Sequence, residues 1–189
     1  MLNEILIPAS RTTLVESDDI PTRVWFVFFQ NVYRYIQKGF GAFYSNTTQT
    51  VAANTDALVT LSTAGSIRSV ALDVATSKIT VSRNGVYNVQ GSLQLANTNG
   101  TNADDVTVWI KVNGVNLPNS TRVVTVPVLH ATTFDGSVAF TFNMYIDLVP
   151  TDYIQLYWRS RTGTTQIKIV AAGTYPAAPS VVVTVDQIV

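Results

Sequence analysis

Apolar and polar residues alternate with a period of two along most of the chain after residue 39. Such alternation is typical of strands that bury one face. Turn signals, among them Asn84-Gly85 and Asn113-Gly114, separate the runs. Eight or more short strands joined by turns, with no helical pattern after Gly39, predict an all-β sandwich or jelly roll over residues 40–189.

The alternation also assigns each strand side chain to a face. Four aromatic residues fall on the nominally polar faces of their strands: Trp109, Tyr145, Tyr153 and Tyr157. Either other parts of the chain cover them, or they line a subunit interface. Tyrosine and tryptophan are favoured at interfaces, because one end of the ring is apolar and the other tolerates water. We therefore predict that these four residues contact another subunit.

The first 39 residues carry different patterns. Residues 1–19 indicate an extended arm, and residues 20–39 indicate one short amphipathic helix with Pro21 in its first turn and Gly39 at its end. The apolar positions at helical spacing are Trp25, Phe28, Phe29, Val32 and Ile36. This face either packs on the β domain or docks into another protein, and its many aromatic rings favour the second alternative, an anchor. We predict two parts, an arm and anchoring helix (1–39) and a β domain (40–189).

The composition favours a subunit that hides surface against partners. The chain is 47% hydrophobic and 13% charged, with zero net charge, and depletion of charge is a property of buried contact cores. Without a basic field, nucleic-acid binding is not expected. The most apolar stretch is shorter than a membrane span requires, so no membrane insertion is expected. The first residues lack the basic and apolar regions of a signal peptide, so we expect none.

Few residues have the chemistry of a catalytic or metal site. The chain has no cysteine and a single histidine, His130, which cannot form a histidine cluster alone. Asp104 and Asp105 follow an oxygen-rich loop that could hold calcium, although the same residue types are ordinary turn formers. Motifs for a serine nucleophile or a phosphate-binding loop are absent. We therefore predict a protein that is not an enzyme, without cofactor or metal.

Three segments of the β region resemble C1q/TNF-like jelly rolls. Residues 79–87 (ITVSRNGVY) are similar to a hairpin and G-x-Y strand of that fold, and residues 108–114 (VWIKVNG) to its W-x-K-x-N-G segment. Residues 146–156 (IDLVPTDYIQL) are similar to its late L-x-x-G-D-x-V-x-L hairpin, with Thr151 in place of the usual glycine. The resemblance spans residues 42–189 and implies a homotrimer packed through one sheet face. By alternation, we assign that face to Trp109, Tyr145 and Tyr157.

A narrower resemblance is to virion proteins of tailed bacteriophages. It is carried by residues 22–33 (TRVWFVFFQNVY) before the β domain and by residues 176–185 (PAAPSVVVTV) near its end. It implies a structural protein of the virion, in which residues 1–39 attach a trimeric knob to other virion proteins as a capsid decoration, head fibre or similar appendage. The alternative is a tail-fibre module that binds a receptor or glycan on the host surface.

Overall fold

The computed structural model describes residues 7–9, 11–15, 20–129, 136–174 and 176–188. Within them the chain forms one helix, α1 (Arg23–Ile36), and fourteen strands. In chain order the strands are β1 (Phe40–Ser45), β2 (Gln49–Thr50), β3 (Ala57–Leu58), β4 (Thr63–Arg68), β5 (Val70–Asp73), β6 (Lys78–Val81), β7 (Gly85–Asn97), β8 (Asp104–Val112), β9 (Val115–Asn116), β10 (Arg122–Val126), β11 (Gly136–Leu148), β12 (Tyr153–Ser160), β13 (Thr165–Ile167) and β14 (Val181–Gln187).

The strands form two antiparallel sheets, and long strands that follow each other in the chain often lie in different sheets. In the first sheet, β7 pairs with β11 along its whole length; on its other side it pairs with β13, which pairs with β2, and with β14, which leads on to β1 and β4. Because β14 and β13 pair with the other side of β7, β11 is an edge strand. The second sheet has the order β10-β8-β12-β6-β5, with β3 on β12 and β9 on β8. The predicted all-β jelly-roll sandwich is confirmed.

The core lies between the sheets and consists of the side chains that the alternation turns inward. Tyr87, Leu93 and Trp158 are fully buried, and the Tyr87 hydroxyl donates a hydrogen bond to the Arg83 carbonyl at 2.9 Å. One inward position is Gly91, which pairs with Phe142. The Phe142 ring lies 2.1 Å from the place where a Cβ of residue 91 would stand, so the ring fills the space above the glycine.

The turn between β11 and β12 keeps a glycine-like backbone without glycine. Thr151 has a φ of 79°, in the left-handed region that favours glycine. The Thr151 N–H donates to the Val81 carbonyl, and the Val149 N–H donates to the Asp152 carboxylate at 2.9 Å. Hydrogen bonds from the Val149 N–H and the Asn113 amide hold the pKa of Asp152 below its usual value. These contacts hold Thr151 in its strained conformation.

The helix is shorter than predicted at both ends. At its start, Pro21 bridges to Val15 and the Thr22 N–H donates to the Leu14 carbonyl, so this segment is extended. At its end the Gly39 N–H donates to the Gln187 side chain, so Gly39 is bonded to the sandwich and is not part of the helix. Asp18 and Asp19, which precede the helix in the sequence, lie outside the described residues. No described helix is long and apolar enough to cross a membrane.

Candidate interaction surfaces

The outward face of the second sheet, here called the charged face, carries three of the four predicted interface aromatics. Trp109 is only 8% exposed, and its indole N–H donates to the Asn116 side chain at 3.0 Å. The Trp109 ring lies 5.9 Å from that of Tyr157. The Lys111 ammonium lies 3.9 Å from the Tyr157 ring centroid, and that of Lys78 lies 4.4 Å from the Tyr153 ring centroid. These aromatics therefore already have partners within their own chain.

Ion pairs continue around the charged face. Arg159 pairs with Asp56 at 2.6 Å, and Arg161 pairs with Asp105 at 3.2 Å. Thr125 donates a further hydrogen bond to Asp105 at 2.7 Å. Such exposed pairs remain hydrated and contribute little to stability. These polar groups of the charged face are thus paired within the chain and remain in contact with solvent.

The outward face of the first sheet, here called the neutral face, has a different chemistry. Three long neighbouring strands, β11, β7 and β14, present small neutral side chains around a shallow groove of about 430 Å³. The outward residues of this groove are Gln90, Ser92, Thr141, Asn143, Val182 and Thr184. None of them carries a charge. The acidic residues of these strands, Asp147 and Asp186, lie towards the ends of β11 and β14.

The predicted set of interface aromatics does not share one sheet. Tyr145 lies on β11 in the first sheet, where it faces Asn88 of β7 and is 66% exposed. Trp109, Tyr153 and Tyr157 lie in the second sheet. The assignment of Trp109, Tyr145 and Tyr157 to one face was therefore wrong, because alternation separates the two sides of a strand without showing the sheet to which that strand belongs. Whether any of the four contacts another subunit stays a prediction.

The predicted anchor residues divide between a covered and an exposed part of α1. Trp25, Phe28 and Val32 are half-buried, and the Trp25 indole N–H donates to the Thr12 carbonyl at 3.1 Å. Phe29 and Ile36 are 49% and 66% exposed. Their role as an anchor stays a prediction, but they lie on a helix with an open apolar surface.

The helix stands apart from the sandwich and is held to it by its C-terminal connector. Among the described residues, no strand makes extensive contact with α1. The connector is fixed by hydrogen bonds from Arg83 to the Gln37 carbonyl (2.5 Å) and from Arg68 to the Lys38 carbonyl (2.9 Å). The sandwich therefore fixes the C-terminal end of the helix, while the rest of the helix makes no extensive contact with the described strands.

The two acids of the oxygen-rich loop do not converge on a common site. Asp104 is fully buried, where Ser160 donates to its carboxylate at 2.5 Å and the Thr162 N–H donates at 2.9 Å. Burial raises the pKa of Asp104, but the hydrogen bonds from Ser160 and Thr162 outweigh it, so the pKa lies below its usual value. Asp105 points to the charged face. The predicted absence of a metal stays a prediction.

The described residues contain no group of three or more His, Asp or Glu side chains that could hold a metal ion. His130, the only histidine, lies outside the described residues.

Comparison with known proteins supports the fold. No family model matches the chain. No curated protein matches it either. Among solved structures, the chain is similar to the Eiger TNF protein from S. frugiperda, with a TM-score of 0.50 and 12% identity over 81% of this chain and 94% of that chain. At this identity the likeness shows the fold alone, which is a TNF-like jelly roll.

Proposed function

We propose that this chain is a non-enzymatic structural subunit, a jelly-roll knob that assembles as a homotrimer through the neutral face. The observation that carries the proposal is the contrast between the two outward faces. The charged side chains of the charged face pair with each other, whereas the neutral face, which bears the groove, has small uncharged side chains on three long strands. Depletion of charge is the mark of the buried centre of an interface.

Trimer formation also agrees with what the C1q/TNF resemblance implies. In that arrangement one sheet of each jelly roll packs around a three-fold axis. The neutral face replaces the face that we assigned from Trp109, Tyr145 and Tyr157, and only Tyr145 of those three belongs to it. Tyr145, with its exposed ring beside Asn88, extends the neutral face towards the edge of the sheet.

We further propose that the knob belongs to the virion of a tailed bacteriophage and is attached through residues 1–39. The resemblance of residues 22–33 and 176–185 to phage virion proteins supports this reading. The exposed apolar side chains of α1 support an attachment role, because a surface of this kind needs a partner. Cryo-electron microscopy of virions from the source tests it: three-fold knobs on the particle agree with the proposal, and the absence of matching density contradicts it.

A host-binding module is the second candidate, and the groove of the neutral face is the observation that favours it. Gln90, Asn143 and Thr184 offer amide and hydroxyl groups that can hydrogen-bond to sugar hydroxyls. This function needs the groove open to solvent, whereas the trimer proposal buries it. The two proposals therefore differ in the state of the groove, which is open to solvent in the host-binding module and buried in the trimer.

The mass of the protein in solution is the first test of the trimer. Light scattering after gel filtration is expected to give three times the chain mass of 20.6 kDa. Thr141→Lys places a charge on the neutral face in every copy, and like charges brought together in an interface cost several kcal/mol. We expect it to weaken the trimer by at least about 100-fold.

Thr80→Lys is the matched control, because Thr80 pairs with Tyr153 on the charged face. It should keep the wild-type mass. A wild-type monomer would refute the trimer. Dissociation by Thr80→Lys, with Thr141→Lys still trimeric, would move the interface to the charged face.

A further inference from the structure

The apolar side chains of α1 include a half-buried stripe and, beside it, an exposed stripe, while Val24, Val27 and Tyr35 are exposed on the remaining side. Trp25, Phe28 and Val32 form the half-buried stripe, held by the hydrogen bond from Trp25 to Thr12. The second stripe, here called the open seam, consists of side chains that are 52%, 49%, 62% and 66% exposed: Phe26, Phe29, Tyr33 and Ile36. Spacings of three, four and three residues keep the open seam on one side of the helix.

The spacing of the open seam suits another helix. Alternating steps of three and four residues are those of side chains that interlock between helices in a coiled coil. Asn31 lies opposite the open seam, with the exposed side chains of Val24 and Tyr35 beside it. A helix of 14 residues is marginally stable alone in water, so an exposed seam on so short a helix is best stabilised by a partner.

The position of the helix selects a second copy of the chain as that partner. The connector leads into Phe40, which starts β1 and pairs with Asp186; Asp186 pairs with Asn88, and Asn88 with Tyr145. The helix therefore joins the first sheet at one end of the neutral face. Copies that pack through this face bring their connectors to the same end of the assembly, with their helices parallel.

We infer that the open seams of three copies associate into a parallel three-helix bundle at one end of the trimer. This inference rests on the trimer of the proposed function and adds a second, separate contact to it. Cyclic symmetry brings equivalent residues together, so Tyr33 faces Tyr33 and Ile36 faces Ile36 of the neighbouring copies. The opposite side of each helix, which carries Val24, Val27 and Tyr35, stays exposed and leaves an apolar surface for attachment to the particle.

Cysteine cross-linking of the full chain tests the bundle directly, because the natural sequence has no cysteine. Tyr33→Cys or Ile36→Cys places equivalent thiols within disulfide range in a parallel bundle. Mild oxidation is expected to link two chains of each trimer and leave the third free. Val27→Cys is the matched control, since Val27 is 44% exposed but lies on the side of the same helix away from the open seam.

A second pair of variants measures the contribution of the seam. Phe29→Glu is expected to raise the concentration at which the trimer half-dissociates by at least about tenfold, and Val27→Glu to leave it unchanged. Both variants add the same charge to the same helix. An effect of equal size in both would overturn the bundle.

The masses separate failure of the bundle from failure of the trimer. If the wild-type chain is trimeric but no cysteine of the open seam cross-links, or all positions cross-link equally, the bundle is wrong and the neutral-face trimer stands. If the wild-type chain is monomeric, both proposals fail. Sedimentation with phosphatidylcholine–phosphatidylserine vesicles adds one more arm: vesicle binding that Phe29→Glu abolishes, without cross-linking, would assign the seam to a membrane surface and overturn the bundle.

Discussion

The two outward faces of the sandwich differ in how their polar groups are satisfied. On the charged face, Arg159 pairs with Asp56, and Lys111 covers the Tyr157 ring. On the neutral face, Gln90, Ser92 and Thr141 border an open groove without any ion pair between them. Charged side chains collect on the outward face of one sheet and are missing from the centre of the other. A face that needs no partner and a face suited to one thus lie back to back.

The largest expected effect comes from exchanging one aromatic residue on each face for alanine. Trp109→Ala removes a ring that is already buried in its own chain, so it should lower the free energy of unfolding by about 3 kcal/mol. Tyr145→Ala removes a mostly exposed ring and should change the stability of the monomer by less than about 0.5 kcal/mol. Urea unfolding in the Thr141→Lys background measures both without a contribution from association.

The same pair of variants also tests which of the two faces carries the subunit interface. In the otherwise wild-type chain, Tyr145→Ala should weaken the proposed trimer, and Trp109→Ala should leave association intact as long as the fold persists. A stable Trp109→Ala protein that no longer associates would make the charged face the interface.

The next prediction compares the buried carboxylate of Asp104 with the solvent-facing carboxylate of Asp105. The depressed pKa of Asp104 means that its carboxylate stabilises the fold above the ordinary pKa of about 3.9, and that this contribution is lost as the pH falls through the lower folded-state pKa. Asp104→Asn should cost about 2 kcal/mol at pH 7 and remove this acid-side loss.

The neighbouring Asp105→Asn, on the charged face, should cost less than about 1 kcal/mol. Thermal unfolding of both variants between pH 3 and 7 measures the difference. Equal costs for the two variants would show that burial of Asp104 has no energetic consequence.

A smaller effect tests the packing beneath the neutral face. Gly91→Ala places a Cβ where the Phe142 ring lies, so the ring must move, at a cost of about 1–2 kcal/mol. Gly65→Ala, on β4 of the same sheet, meets its nearest neighbour at 3.5 Å and should be nearly neutral. Chemical denaturation of the two variants compares them, and a neutral Gly91→Ala would show that Phe142 moves without cost.

The smallest effect is expected from the ion pair of the charged face. Asp56→Ala breaks the contact with Arg159, and both side chains are nearly half exposed. The loss should be under about 0.5 kcal/mol and should shrink further at high salt. Thermal unfolding at low and high salt measures it; a cost above about 2 kcal/mol, insensitive to salt, would show that this face is not simply solvated.

Much of the inward pattern was predictable from the amino-acid sequence. The alternation after residue 39 places Tyr87, Leu93 and Trp158 on the apolar faces of their strands, and all three are fully buried. The helix was predicted over 20–39 and spans Arg23–Ile36, since Pro21 bridges to Val15 and the Gly39 N–H donates to the Gln187 side chain. The contact of Gly39 joins segments that are 148 residues apart, so no local pattern reveals it.

The alternation of residues by itself determined the class of fold and the inward side of each strand, because side chains on a strand point to opposite sides in turn. Only the tertiary structure decided which strands share a sheet. It separated Tyr145 from Trp109 and Tyr157, and it placed Gln90, Thr141 and Thr184 around one uncharged groove. The physical reason is that strand pairing depends on hydrogen bonds and packing between distant segments, and the two-residue period is identical in both sheets.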